Sequence, residues 1–309
     1  MISMMEKEET MEKLKIEPLP KDYADNDLVE KMKKYYLSSA TSVKYIRDLG
    51  ISDQEVEDNI SKIYDFAFDV EYCKKCPGVK KCAKANPLLC IKIVYDHGLV
   101  DRQLVPCKEL LKQIAFQRQF VIHDFEDDWM DARLNTIDRN KGRGEALLKY
   151  VDFTQNKVNG WIYLTGTKNS GRSYFAAAIT IDAARKEKGP ICFLDSTLRL
   201  RELSDLSRDK KKEEFDKKLA LYSNVPILVF DDFGNEFKSD YVRDAILFPI
   251  LSTRASKKLL TIFTSDFTVS EIQTLYGTSK AGEIRAKQLA NLIKSMSDEE
   301  INLGEISIY

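Results

Sequence analysis

The sequence has no apolar run long enough to cross a membrane. Its longest, residues 225–230 and 245–251, fall far short of the ~20 residues a spanning helix needs. Residues 1–20 are too acidic and too polar for a secretory signal. Together these absences predict a cytoplasmic protein without membrane contact. Net charge is also almost absent, because 48 Lys and Arg against 49 Asp and Glu leave −1. No global basic field advertises nucleic acid, so any such contact must be local. Histidine is scarce, with two in the chain; His97, at the tip of an expected hairpin, and His123 read as exposed polar side chains rather than ligands. What is present is a 43% hydrophobic content over 309 residues, enough for a proper core and, at roughly 150 residues each, about two domains.

Cysteine is clustered rather than scattered. Five of the six fall at Cys73, Cys76, Cys82, Cys90 and Cys107, while Cys192 lies in a distant apolar stretch and reads as core. A C-x2-C pair at Cys73 and Cys76 lets two thiolates hold one metal from a tight turn, and a second pair would complete a tetrahedral zinc site. Spacing leaves open which two of Cys82, Cys90 and Cys107 join it. The redox alternative needs a βαβ context that is absent, and no export signal favours disulfides. Around the cluster the pattern is helical. Leu28, Met32, Tyr35 and Tyr36, then Val56, Ile60, Ile63, Tyr64, Phe66 and Phe68, recur at three and four, predicting helices over 25–37 and 53–68. Ser52 and Glu55 form a capping box before the second, and a further helix starts near 41–45 and ends at Gly50. Residues 91–95 and 99–104 predict a β-hairpin, and 107–114 a helix. The lead-in over 1–22 is expected to be poorly ordered. We place the domain boundary at the acidic stretch 124–128, giving 1–125 and 126–309.

In the second part, an apolar strand over 161–164 runs into Gly166, four residues, Gly171, Arg172 and Ser173. That is the spacing of a P-loop, whose backbone N–H groups converge on phosphate with a helix N-terminus behind them. The helix is expected over 174–186, after a helix over 133–150 interrupted near Gly142 and Gly144 and a turn over 154–159. Arg172 stands where the motif asks for Lys, and its planar fork does not reproduce the contact of a compact ammonium. A strand over 191–194 precedes a charged helix over 198–221. That helix reads as a solvated face, with Arg199, Arg201, Lys210, Lys211 and Lys212 as an alternative basic rim for single-stranded nucleic acid. The apolar run 225–230 ends in Asp231 and Asp232, the form of a Walker B strand: the first carboxylate holds Mg2+ through water and the second orients the attacking water. A helix over 241–253, a strand over 259–264, a loop over 277–282, a helix over 284–296 and a hairpin over 301–309 complete an α/β fold with a parallel sheet.

Taken together, these blocks resemble the DnaI- and DnaC-type primosomal helicase loaders of the AAA+ superfamily. The residues that carry the resemblance are the C-x2-C with its later cysteines, N-G-W-I-Y-L-T-G-T-K-N-S-G-R-S at 159–173, I-L-V-F-D-D-F-G-N-E at 227–236, Y-V-R-D-A-I-L-F-P-I-L-S-T-R at 241–254 and L-L-T-I-F-T-S-D-F at 259–267. It runs from about residue 25 onward. It implies a small helical zinc-binding domain that grips the replicative helicase, followed by an AAA+ P-loop domain that binds ATP with Mg2+ and single-stranded DNA. On the family pattern zinc is held by Cys73, Cys76, Cys90 and Cys107, with Cys82 in reserve. The nucleotide site comprises Gly166, Asn169, Ser170, Gly171, Arg172, Ser173 and Asp266, with Asp231 and Asp232 as catalytic carboxylates. The implied role is to bind the hexameric helicase and assist its loading onto DNA at replication initiation or restart, alongside other primosome proteins and further copies of itself. Departures from the pattern bear on catalysis. Arg172 replaces the P-loop Lys, Asp266 replaces the Asn that ends the sensor strand, and Gln288 and Leu292 stand where two arginines are expected, with Arg285 close by. These changes predict residual nucleotide binding with negligible turnover. The alternative is an active ATPase whose hydrolysis times helicase release. A small-molecule P-loop kinase fits neither the paired Asp nor the cysteine-rich domain.

Overall fold

The computed structural model describes residues 26–137, 141–155, 160–277 and 279–304. The lead-in expected over 1–22, most of the turn at 154–159 and the end of the hairpin expected over 301–309 lie outside the described residues. The chain divides into two compact units, Met1–Leu111 and Lys112–Tyr309.

The first unit holds α1 (Asn26–Ser38), α2 (Ala40–Asp48), α3 (Asp53–Asp58), α4 (Ile60–Lys74), and a hairpin of β1 (Leu89–Asp96) and β2 (Leu99–Pro106), with α5 (Lys108–Gln117) carrying the chain onward. The capping box forms as the sequence predicts: Ser52 accepts from the Glu55 amide while Glu55 accepts from the Ser52 amide. The single helix expected over 53–68 is broken at Asn59, whose backbone leaves the helical region at φ −118°. Tyr36, Ile46, Val56, Ile60, Ile63 and Phe66 meet Ile93 and Val100 of the hairpin in one core. The hairpin turns on His97 and Gly98, both at positive φ, as a two-residue turn requires.

The second unit is built on β3 (Phe120–His123), β4 (Ile162–Thr165), β5 (Ile191–Asp195), β6 (Ile227–Asp231), β7 (Leu260–Ser265) and β8 (Glu300–Asn302). They form one six-stranded sheet in the order β3-β5-β6-β7-β4-β8, parallel at every pairing. Alternation along the strands divides the core. Trp161, Tyr163, Leu194, Leu228 and Phe230 face one cluster, while Ile162, Leu164, Phe193, Ile227 and Val229 face the other. Helices α6 (Lys141–Thr154) and α7 (Arg172–Arg185) supply Ala146, Tyr150 and Phe175 to the second cluster. Helices α8 (Ser196–Arg208), α9 (Lys212–Asn224), α10 (Phe248–Lys257), α11 (Val269–Tyr276) and α12 (Lys280–Ser297) cover the first.

Several boundaries differ from expectation for identifiable reasons. The unit division falls before 112 rather than at 125, because Phe120–His123 pairs in parallel with β5 as an edge strand of the sheet. The helix expected over 133–150 begins only at Lys141, so Gly142 and Gly144 lie in its first turn. A Cβ on Gly142 would stand 2.0 Å from the Asn302 carbonyl oxygen, which is why that position is glycine. The charged helix over 198–221 is two helices, α8 and α9, separated where Lys210 takes φ 58°. The segment 241–253 opens as a π-helical turn, Val242–Leu247, before α10; Pro249 follows with no N–H to give to the preceding turn. Ser279 caps α12 and starts it before 284, and α11 adds a helix, opened by a capping box of Thr268 and Glu271, ahead of it. Instead of opening a hairpin, residues 300–302 pair in parallel with β4.

Candidate nucleotide site and cysteine cluster

The P-loop leaves β4 at Gly166 (φ 154°), passes Asn169 in the left-handed region at φ 66° and enters α7 through Gly171 at φ 79°. These are backbone angles that glycine, and secondarily asparagine, accept at least cost. From below, the loop is held by Arg143 of α6, a buried side chain that donates to the Ser170 carbonyl oxygen at 3.0 Å. Ser170 Oγ is buried and has no hydrogen-bond partner among the described residues. With Asn169, Gly171, Arg172 and Ser173, the side chains of Glu126, Trp129 and Tyr174 line a cleft of about 490 Å³. Trp129 and Tyr174 meet edge to face at 5.5 Å. Neither Trp129 nor Glu126 was a predicted site residue. An aromatic after an acidic run carries no motif, and only the fold brings it to the P-loop.

Strand β7 lies between β4 and β6 in the sheet, which brings the ends of all three strands together. Asp231 accepts from Thr264 Oγ1 at 2.5 Å, and the Asp232 amide donates to the same hydroxyl oxygen at 2.9 Å. Ser173 also hydrogen-bonds Asp231. Burial pushes Asp231 up to about 6, against the Thr264 and Ser173 bonds and with help from the charge of Asp232. Asp232 sits at φ 52°; burial raises it too, opposed first by Arg172. A partly buried carboxylate beside a serine hydroxyl suits a divalent cation, so Asp231 and Ser173 would hold Mg2+, whose charge would offset that of a phosphate. Thr264 was missed as a site residue because its role depends on the adjacency of β6 and β7.

Arg172 and Asp266, two separate departures in the sequence, are bonded to each other. Arg172 Nη2 donates to Asp266 Oδ1 at 2.5 Å and lies 3.7 Å from Asp232 Oδ1, while Nη1 donates to the Gly166 carbonyl oxygen. Asn235 Nδ2 donates to the other Asp266 oxygen at 3.1 Å. Burial opposes the charge of Asp266, but the bonds from Arg172 and Asn235 outweigh it and hold the carboxyl below its usual range. On α12, Gln288 is exposed and Leu292 packs against the core, so neither supplies a cation. Arg285 is exposed, with Nη1 3.4 Å from Gln288 Oε1.

In the first unit all five clustered cysteines line one cavity of about 540 Å³. Cys73 Sγ and Cys90 Sγ are 3.8 Å apart, and two sulfurs bound tetrahedrally at ~2.3 Å to one zinc ion would be about that far apart. The tight group is Cys73, Cys90 and Asp69, whose ligand atoms lie within 4.8 Å of one another. Cys76 and Cys107 line the cavity without joining that group; Cys107 Sγ instead accepts from the Leu110 amide at 3.3 Å. Asp69 was not anticipated, and its oxygens are engaged by Lys84 Nζ at 2.8 Å and the Ile91 amide at 3.1 Å. Lys84 Nζ also stands 3.5 Å from Cys73 Sγ and 3.7 Å from Cys90 Sγ. Burial, the Cys73 thiol and Asp69 push Cys90 up to about 12. Cys73, Cys90 and Asp69 are thus a group that could hold a metal ion.

Among the described residues no helix is long and apolar enough to cross a membrane. A family model described as IstB-like ATP binding protein matches residues 90–284. Over 253 residues the chain is 26% identical to the Replicative helicase loader DnaI of Bacillus subtilis (strain 168), covering 79% of this chain and 80% of that protein. A crystal structure of DnaI aligns with a TM-score of 0.52 at 23% identity, covering 63% of this chain and 99% of that one. The second likeness is one of fold.

Proposed function

Since the chain belongs to the IstB-like ATP binding protein family, we propose that it is a replicative helicase loader. It would bind the hexameric replicative helicase in the cytoplasm and assist its loading onto DNA at initiation or restart, with other primosome proteins and further copies of itself as partners. The observation that carries this reading is the extent of the similarity to DnaI: 79% of the chain is more than residues 112–309 can hold, so the match reaches into the cysteine-bearing unit. That unit is assigned helicase capture and one structural zinc ion held by Cys73, Cys76, Cys90 and Cys107, with Cys82 in reserve. Deprotonated cysteines and a metal supply folding energy that a loop-rich segment lacks.

The second unit is assigned weak ATP or ADP binding with little turnover. Arg172 faces its own carboxylates, and no arginine stands at Gln288 or Leu292. An arginine finger alone can be worth ~10³–10⁵ in rate. The intact Asp231, Thr264 and Ser173 cluster keeps a second reading open, an active ATPase that times helicase release. Single-stranded DNA would be met at the cleft of about 340 Å³ lined by Arg201 and Arg208 of α8 and by Phe237 after β6. Phe237 is 81% exposed, as a base-stacking platform beside cations should be. Co-purification with a hexameric helicase tests the assignment, and absence of a complex would remove it. Helicase delivery that survives Asp232→Asn is expected. Helicase-stimulated hydrolysis abolished by the same substitution would select the second reading.

A further inference from the structure

Arg172 is the first residue of α7, and from there a P-loop cation would normally reach forward into the phosphate cleft. Here the side chain is only 5% exposed and turns back beneath the loop. Its guanidinium donates to the Gly166 carbonyl oxygen and to Asp266 Oδ1, with Asp232 Oδ1 close by. Arginine carries five N–H donors in a fixed fork, so those spent on internal acceptors are withheld from a phosphate. The second oxygen of Asp266 accepts from Asn235, and the adjacent Phe267 amide donates to Ser265 Oγ at 3.0 Å. The charge around the loop follows. Asp232 and Asp266 converge on a single buried guanidinium, with Lys168 of the loop acting on both carboxylates from nearby.

We propose that Asp266 is an intramolecular competitor for Arg172: it occupies the P-loop cation in place of a phosphate oxygen, so nucleotide enters only when this pair opens. The proposal rests on reading the cleft as a nucleotide site, and it makes the weakness of that site a property of one ion pair. The loop, the helix N-terminus and the Asp231 cluster are then competent and masked. Asp266 is a specificity-determining residue here, excluding polyphosphate by the charge it adds as well as by the cation it removes.

The test is titration of full-length protein with fluorescent ADP and ATP analogues in excess Mg2+, using wild type, Asp266→Asn, Arg172→Lys and the double variant, each checked for native thermal unfolding. Asp266→Asn keeps the shape and the bond to Asn235 while freeing the guanidinium, and should bind ATP about tenfold tighter or more. The double variant, which restores a compact cation with its competitor removed, should bind at least as tightly as Asp266→Asn. Unchanged or weaker binding in Asp266→Asn overturns the competitor role. If neither it nor the double variant binds nucleotide, the nucleotide-site reading falls with it. If wild type already binds tightly and Asp266→Asn changes nothing, only the competitor role falls. Helicase co-purification with the same four proteins reports on the loader assignment independently.

Discussion

Replacing Arg254 by Met should destabilise the second unit by about 3–5 kcal/mol, although no carboxylate among the described residues pairs with this arginine. Arg254 is fully buried near the end of α10. It donates to the carbonyl oxygens of Tyr222 at 2.9 Å and Val225 at 2.7 Å, to Leu260 O, and to Thr261 Oγ1 at 2.8 Å. The need for it is written in the chain, since α9 ends at Asn224 and residue 226 is Pro. The Tyr222 carbonyl would ordinarily accept from the amide four residues on, and proline has none. Methionine fills similar space but leaves three buried carbonyls without their donor, at about 1–3 kcal/mol each. Relief of the buried cation's desolvation offsets part of that sum. At ~2–4 °C per kcal/mol for a domain of this size, the unfolding midpoint of the second unit should fall by roughly 6–20 °C in calorimetry or circular dichroism. Arg254→Lys, with a point donor in place of a fork, should lie between the two. A loss below about 1 kcal/mol in Arg254→Met would refute the reasoning, because the carbonyls would then have found other partners.

Three further outcomes are expected. Cys73→Ser should lower zinc content by metal analysis and abolish helicase capture, while the unfolding transition of the second unit stays in place. Gly142→Ala should push β8 away from α6 and cost about 1–3 kcal/mol in denaturant unfolding, because the new methyl group meets backbone rather than a flexible side chain. Asp231→Asn should stabilise the second unit at pH 8. Asp231 is raised from 3.8 to about 6 in the fold, so its contribution is fully present below pH ~4 and lost as pH rises through ~6. The variant escapes that loss, and its advantage, on the order of 1–3 kcal/mol, should vanish in unfolding measured below pH 4.

The parallel sheet was legible because its strands are buried on both faces and read as continuous apolar runs: 162–165, 191–194, 227–230 and 260–265 are buried throughout or nearly so. The P-loop and the acidic pair after β6 were legible for a second reason, that each is local in sequence. Strand β3 was not, since Phe120–His123 is an edge strand, short and only half-buried, with no alternation to betray it. Helix breaks at Asn59 and at 209–211 were hidden because charge and periodicity continue across them. The relation between Arg172 and Asp266 was invisible for a different reason. Each is a change of one residue, and only the adjacency of β4 and β7 turns two apparent losses into one bonded pair.

Helix α12 contains 18 residues, about 27 Å of stiff rod, with an exposed face carrying Ile284, Arg285 and Gln288. Its last turn is tied to the P-loop strand, because the Met296 carbonyl oxygen accepts from the Trp161 amide at 2.7 Å. β8 then runs alongside β4, the Leu303 amide donates to the Thr165 carbonyl oxygen at 2.9 Å, and the Gly304 carbonyl oxygen lies 3.2 Å from where a Cβ on Gly166 would stand. One end of the rod is thus joined, through the Trp161 amide and β8, to the strand and the glycine from which the phosphate loop departs.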